Sequence, residues 1–176
     1  MNCTIEIRKT GICDTGAEAV VNAANSGLQR GGGVCGAIFA AAGASQLQKE
    51  CDLIGYCETG KAVITSGYEL CDHIVHAVGP IYEGGTHNEE ELLKSAYRSS
   101  LDLIRSRNCR SCIFPLISSG IYGYPKKEAW QCALKACDEW RKNNDDYELQ
   151  IIFAVLDDEV LELGRKCAAD LDIEII

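Results

Sequence analysis

Two asparagines and a run of glycines stand where a short apolar stretch gives out: Ala19-Val20-Val21-Asn22-Ala23-Ala24-Asn25, then Ser26 to Arg30, then Gly31-Gly32-Gly33-Val34-Cys35-Gly36-Ala37-Ile38. Asn22 and Asn25 bring amide donors and acceptors. The glycines precede a helical stretch, Val34–Ala42, closed by Gly43. Glycine lets the backbone approach a ligand closely, and the first helical N–H groups are free. With the helix dipole this makes an anion site built from main chain. A second stretch repeats the order. Ser111–Leu116 reads as a strand and runs into Ile117-Ser118-Ser119-Gly120-Ile121-Tyr122-Gly123-Tyr124-Pro125. It offers N–H groups, two hydroxyls and an aromatic ring ahead of a helix whose first turn accommodates Pro125. Two such loops from different strand ends can hold a diphosphate from both sides.

Other residues of chemical interest are weighed against plainer roles. Cys35 lies near the start of a helix, where a thiol is a candidate nucleophile or redox sensor; among 11 cysteines it also reads as a tolerated small residue. Cys109-x-x-Cys112 has no second pair at zinc spacing, and with three histidines in the chain no metal site is expected. His76 falls mid-strand and reads as a core residue. Gly31-x-Gly33-x-x-Gly36 fits the dinucleotide fingerprint, which wants its first glycine directly after the strand; here Asn25 to Arg30 intervene, and the acids Glu50 and Asp52 fall on a helix.

The elements that must position these loops follow from periodicity. Met1–Lys9 alternates as an opening strand, with Ile5 and Ile7 on one face. Val20-Val21 is a buried strand. Ala44–Tyr56 carries Leu47, Cys51 and Ile54 at helical spacing, and Lys61–Thr65 and His73–Val78 are two further strands. Glu89–Arg107 is a helix with an acidic start and a basic end. Ala129, Trp130, Ala133, Leu134, Cys137 and Trp140 form the apolar stripe of the next helix. Leu149–Leu156 is a strand, Asp157–Ala169 a helix and Leu171–Ile176 a closing strand. Alternating strands and helices predict an α/β fold with helices on both faces of a largely parallel sheet, which binds ligands outside the carboxyl ends of its strands.

The chain has 176 residues and reads as one domain over 1–176. Apolar residues make up 47%, against disorder. A formal charge of −9 argues against nucleic-acid backbones and anionic membranes as partners. A bound phosphate must then rely mainly on neutral backbone donors. No signal-peptide core and no membrane-length apolar run is visible. Many cysteines without such a signal point to reduced thiols in the cytoplasm.

Taken together, the motifs Val-Val-Asn-Ala-Ala-Asn at 20–25, Gly-Gly-Gly-Val-x-Gly-Ala-Ile at 31–38, His-Ala-Val-Gly-Pro at 76–80 and Ile-Ser-Ser-Gly-Ile-Tyr-Gly-Tyr-Pro at 117–125 resemble the macrodomain family, in particular its bacterial MacroD-type, O-acetyl-ADP-ribose deacetylase-like branch. The resemblance runs from about Ile5 to Glu159. It implies a three-layer α/β/α fold with a mixed, largely parallel sheet. It also implies that ADP-ribose, free or on a protein, binds in a cleft at the carboxyl edge; the chain itself is expected to be a monomer that needs no cofactor. Asn25 matches the asparagine at the distal ribose, with Asn22 orienting it or its loop. Gly31, Gly32, Gly33 and Val34 match the loop along that ribose and the adjoining phosphate. Ser118, Ser119, Gly120, Ile121 and Tyr122 match the diphosphate loop.

Three positions depart from the family pattern. The family often has Gly-Asp-Ile after the first strand, its Asp meeting adenine, whereas this chain has Thr10-Gly11-Ile12, with Asp14 nearby. An aromatic residue that often flanks adenine corresponds to Leu156. MacroD-type hydrolases carry Asp in Gly-Val-Asp-Gly, and here the residue is Cys35; alphavirus members resemble this chain there. The implied activity is hydrolysis of ADP-ribosyl esters, from protein or from O-acetyl-ADP-ribose, with Asn25 and Cys35 as the catalytic candidates. The alternative is a module that reads ADP-ribose without turning it over.

Overall fold

The computed structural model describes residues 2–176, so Met1, where the alternating opening stretch begins, lies outside the described residues. The strands are β1 (Cys3–Lys9), β2 (Ala19–Ala23), β3 (Ala62–Ser66), β4 (His73–Ala77), β5 (Ser111–Phe114) and β6 (Leu149–Val155). The helices are α1 (Gly33–Ala42), α2 (Ala44–Ile54), α3 (Glu89–Ser106), α4 (Lys126–Asn143) and α5 (Asp158–Asp170). One six-stranded sheet has the order β1-β6-β5-β2-β4-β3. Every neighbouring pair is parallel except β3 with β4.

Strand residues alternate between two cores, as a pleated strand buried on both faces must. Ala19 and Val21, Cys112 and Phe114, and Ile151 and Phe153 face the core covered by α3, α4 and α5. Val20, Ile113 and Ile152 face the smaller core under α1 and α2. This is the three-layer α/β/α arrangement, and it sets five parallel strands with their carboxyl ends along one edge. The pairing of β2 with β5 covers only Ala19–Cys112 and Val20–Ile113. The two strands separate beyond that point, and the crevice opens there.

Element ends shift by a residue or two from the sequence expectation, and two of the differences have a plain physical cause. β5 stops at Phe114, because Pro115 has no N–H to extend a ladder. Leu171–Ile176 forms no strand. Its alternation is genuine, and Ile173 is buried. However, Ile173 N donates to Ala168 O, closing the end of α5, and only Ile176 N reaches β1, at Ile5 O (2.9 Å). The segment is fastened instead by the buried Arg141, which pairs with Asp138 and donates to Glu174 O (2.9 Å).

Candidate functional site

A cleft of about 520 Å³ lies at the carboxyl edge. Four strand ends contribute to it: Ala23–Asn25 after β2, Gly79 after β4, Pro115–Tyr122 after β5 and Ala154–Asp157 at the end of β6. Gly31–Cys35 forms the wall opposite the 115–122 loop.

The first glycine loop is held from below. Leu28 is buried in the smaller core and takes a left-handed turn (φ 57°), its N–H bonded to Asn25 O. Asn25 grips the loop with both ends of its amide: Nδ2 donates to Gln29 O (2.8 Å) and Oδ1 accepts from Gln29 N (3.0 Å). Gln48 of α2 accepts from Arg30 N (2.9 Å) and donates to Leu28 O (3.1 Å). Cys35 Sγ accepts from Gly31 N (3.3 Å) and donates to Gln29 O (3.8 Å). The thiol therefore acts in the fold as a staple of the loop, and it also lines the cleft. α1 begins at Gly33 with no side-chain cap, so its first N–H groups have no intrahelical acceptor.

Asn22 is buried off the cleft, directly across the ladder from His76. Its Nδ2 lies 3.2 Å from His76 Nδ1 and 3.6 Å from Cys35 Sγ. Thr65 Oγ1 donates to Ser66 O and stands 3.0 Å from His76 Nε2. That assigns the proton to His76 Nε2 and leaves Nδ1 to accept from Asn22. Burial pushes the His76 imidazole down to about 4, so it is neutral at pH 7. It supports the sheet, as its mid-strand position predicted.

The second loop turns both of its hydroxyl protons into the fold: Ser118 Oγ donates to Pro80 O (2.8 Å) and Ser119 Oγ to Leu116 O (2.7 Å). The reason is conformational. Ser118 takes a left-handed backbone (φ 68°), costly for a residue with a side chain, and its hydroxyl bond and the Tyr124 N to Ser118 O bond (2.9 Å) hold it there. The groups left for a ligand are the N–H groups of Gly120, Ile121 and Tyr122, which have no acceptor among the described residues. Ile121 is fully exposed on the rim, and Tyr122 O accepts from Tyr82 N (2.9 Å).

The cleft thus brings together Asn25, Gly31, Gly32, Gly33, Val34, Cys35, Ser118, Ser119, Gly120, Ile121, Tyr122 and Leu156. It does not include Gly11, Ile12 or Asn22. Ile12 is buried in the smaller core with Cys35 and Ile38. Gly11 sits in a turn closed by Asp14 N to Gly11 O (3.2 Å). Sequence reasoning missed Gly79, Lys126 and Asp157, all on the lining. Asp157 caps α5 through Val160 N (2.8 Å). Lys126 directly follows the second loop and its proline, and that adjacency was the available signal.

All 11 cysteines are free, and burial pushes several up, Cys51 to about 11. Among the described residues no three His, Cys, Asp or Glu side chains stand together as a metal cage requires. No helix among the described residues is long and apolar enough to cross a membrane.

Comparison with known proteins gives a consistent result. A family model described as Macro domain matches residues 21–133. A macro domain-containing protein of Chlorobaculum tepidum is 43% identical over 169 residues, covering 96% of this chain and 97% of that protein. A Salmonella gallinarum protein named O-acetyl-ADP-ribose deacetylase is 41% identical over 173 residues, covering 94% of each. Among solved structures, a variant of the Oceanobacillus iheyensis macrodomain with ADPR superposes with a TM-score of 0.88 at 32% identity, covering 96% of this chain and 93% of that one.

Proposed function

The chain belongs to the macro domain family, and from that premise we propose that its cleft binds ADP-ribose and hydrolyses ester-linked ADP-ribosyl groups, on protein or in O-acetyl-ADP-ribose. The observation that carries the binding is the pair of loops with unpaired N–H groups facing each other across one cleft. Neutral main-chain donors suit a diphosphate in a chain of charge −9. The name of the Salmonella relative and the ADPR held by the Oceanobacillus neighbour support the same ligand.

The proposed chemistry rests on orientation. Asn25 keeps one amide proton and one lone pair beyond its two bonds to Gln29, and these meet the distal ribose hydroxyls. The two loops fix the diphosphate, and a substrate phosphate oxygen places the attacking water at the ribose. No protein carboxylate is needed in this scheme. Leu156 (77% exposed) covers the adenine face, and Asp14, in the turn that closes on Gly11, is the acid for its amino group. The protein works as a monomer in the cytoplasm, where its thiols stay reduced.

One observation favours a second reading, a module that binds ADP-ribose without turnover. The position that carries Asp in MacroD-type hydrolases holds a thiol, and that thiol is engaged in the loop. Two measurements separate the readings: titration calorimetry with ADP-ribose, and release of ADP-ribose from a mono-ADP-ribosylated protein. Binding with release supports the enzyme. Binding without release supports the reader. No binding at millimolar ADP-ribose removes both.

A further inference from the structure

Among the residues that line the cleft, Lys126 is the cation and Asp157 the acid. Resting on the ADP-ribose reading above, we propose that Lys126 is the charged anchor of the phosphate held at the 118–122 loop, so that main-chain donors do not act alone there.

Lys126 is exposed, and its Nζ reaches back to Ser119 O (3.4 Å). That long bond ties the ammonium to the 118–122 loop, whose Gly120, Ile121 and Tyr122 N–H groups lack acceptors, and both line the one cleft. An ammonium carries three donors, so two remain. Like several other lysines, Lys126 forms no ion pair among the described residues, and it is the one of them that lines the cleft. Asp157 forms no ion pair with it among the described residues; its carboxylate is turned to the start of α5, where it accepts from Val160 N. Helix stability gives no reason for a lysine here either, because Lys126 is the first residue of α4, where the dipole disfavours a cation. An uncompensated cation beside three free N–H groups is a phosphate site with charge as well as geometry. In a molecule of charge −9 it also supplies short-range attraction for a dianionic ligand.

The test is titration calorimetry of ADP-ribose and of ADP with the parent protein, Lys126→Gln, Lys126→Arg and Lys127→Gln, at low and high salt. Lys126→Gln is expected to weaken both ligands by one common factor, about two- to fivefold at low salt, with the difference shrinking as salt rises. Lys126→Arg keeps most of the affinity, and Lys127→Gln, a neighbouring exposed lysine off the cleft, matches the parent. If the parent binds and Lys126→Gln binds equally well, the anchor is refuted. If Lys126→Gln weakens ADP-ribose but not ADP, the contact is to the distal ribose and the proposal is again wrong. A parent that binds neither ligand removes the ADP-ribose reading itself.

Discussion

The carboxylate of Asp14 stands where a side chain on Gly11 would project: a Cβ built on Gly11 would overlap Asp14 Oδ2 and lie 3.1 Å from Asp14 Cγ. The turn closed by Asp14 N and Gly11 O folds the later residue back onto the earlier one. The chain thus lacks an acid at position 11 and places one in the same space from three residues downstream.

Adenine recognition should then depend on Asp14. Asp14→Ala is expected to weaken ADP-ribose by about tenfold, the loss of one hydrogen bond to a charged group of about 1.5 kcal/mol. Gly11→Asp alone should bring no gain, because its side chain must displace Asp14. The double variant should recover the parent affinity. Calorimetry on the three variants decides it, and an Asp14→Ala protein that binds like the parent would show that Asp14 does not read the base.

The path of the phosphate loop depends on a glycine outside it. A Cβ on Gly79 would overlap Ser118 Oγ and lie 2.5 Å from Ile117 Cγ2. Gly79→Ala should therefore push the loop outward and break the Ser118 to Pro80 bond. The expected result is an ADP-ribose affinity lower by at least about tenfold with a cooperative unfolding transition retained. Unchanged affinity would mean that the loop adapts and its position is not critical.

How much of this was legible in the sequence varied with the physics involved. The two loops were legible because glycine, asparagine and serine at strand ends carry local conformational meaning. The sheet was legible because its strands are buried on both faces and read as apolar runs. What was not legible depends on pairs distant in sequence. The alternation of Leu171–Ile176 gave no sign that Arg141 would fasten that segment at Glu174. Ser118 and Ser119 gave no sign that their hydroxyls would face inward, since that follows from Pro80 and the left-handed turn. Asp14 could be named but not placed until the turn was seen.

The buried histidine gives the protein a pH-dependent stability. His76 is neutral when folded, its pKa lowered to about 4 by burial from the ordinary 6.5. Above pH 6.5 neither state binds the proton and the full stability is present. Between 6.5 and 4 the unfolded chain takes it up and the folded chain does not, so stability falls as pH falls, by about 3 kcal/mol across the window. His76→Gln can accept from Asn22 and donate to Thr65 without titrating. Urea unfolding at pH 7 and pH 4.5 should therefore show a smaller loss for the variant than for the parent. Equal losses would assign the slope to other groups. Glu89 is separable from it. Burial raises its carboxyl, but the N–H groups of Glu83, His87 and Gly85 outweigh that and bring it to about 2. Its contribution is present above 4.5 and lost only as pH falls toward 2.

Turnover should depend more on Asn25 than on Cys35. Both hold the Gln29–Gly31 stretch, but they differ in what remains. The Asn25 amide retains a proton and a lone pair for the ribose after its two bonds to Gln29. The Cys35 thiol already accepts from Gly31 N and Asn22 Nδ2 and donates its one proton to Gln29 O. Asn25→Ala removes both the loop grip and the ribose contact, and misorienting the reacting carbon costs on the order of a hundredfold in rate. Cys35→Ala removes only a weak loop contact and should cost less than about tenfold. Cys35→Asp offers a carboxylate to the same two N–H groups and an oxygen that can hold water, so the rate should rise. Single-turnover release of ADP-ribose, with affinity measured in parallel, separates rate from binding. A Cys35→Ala protein that binds normally and releases nothing would show that the thiol is catalytic and that orientation by Asn25 is not the main source of rate.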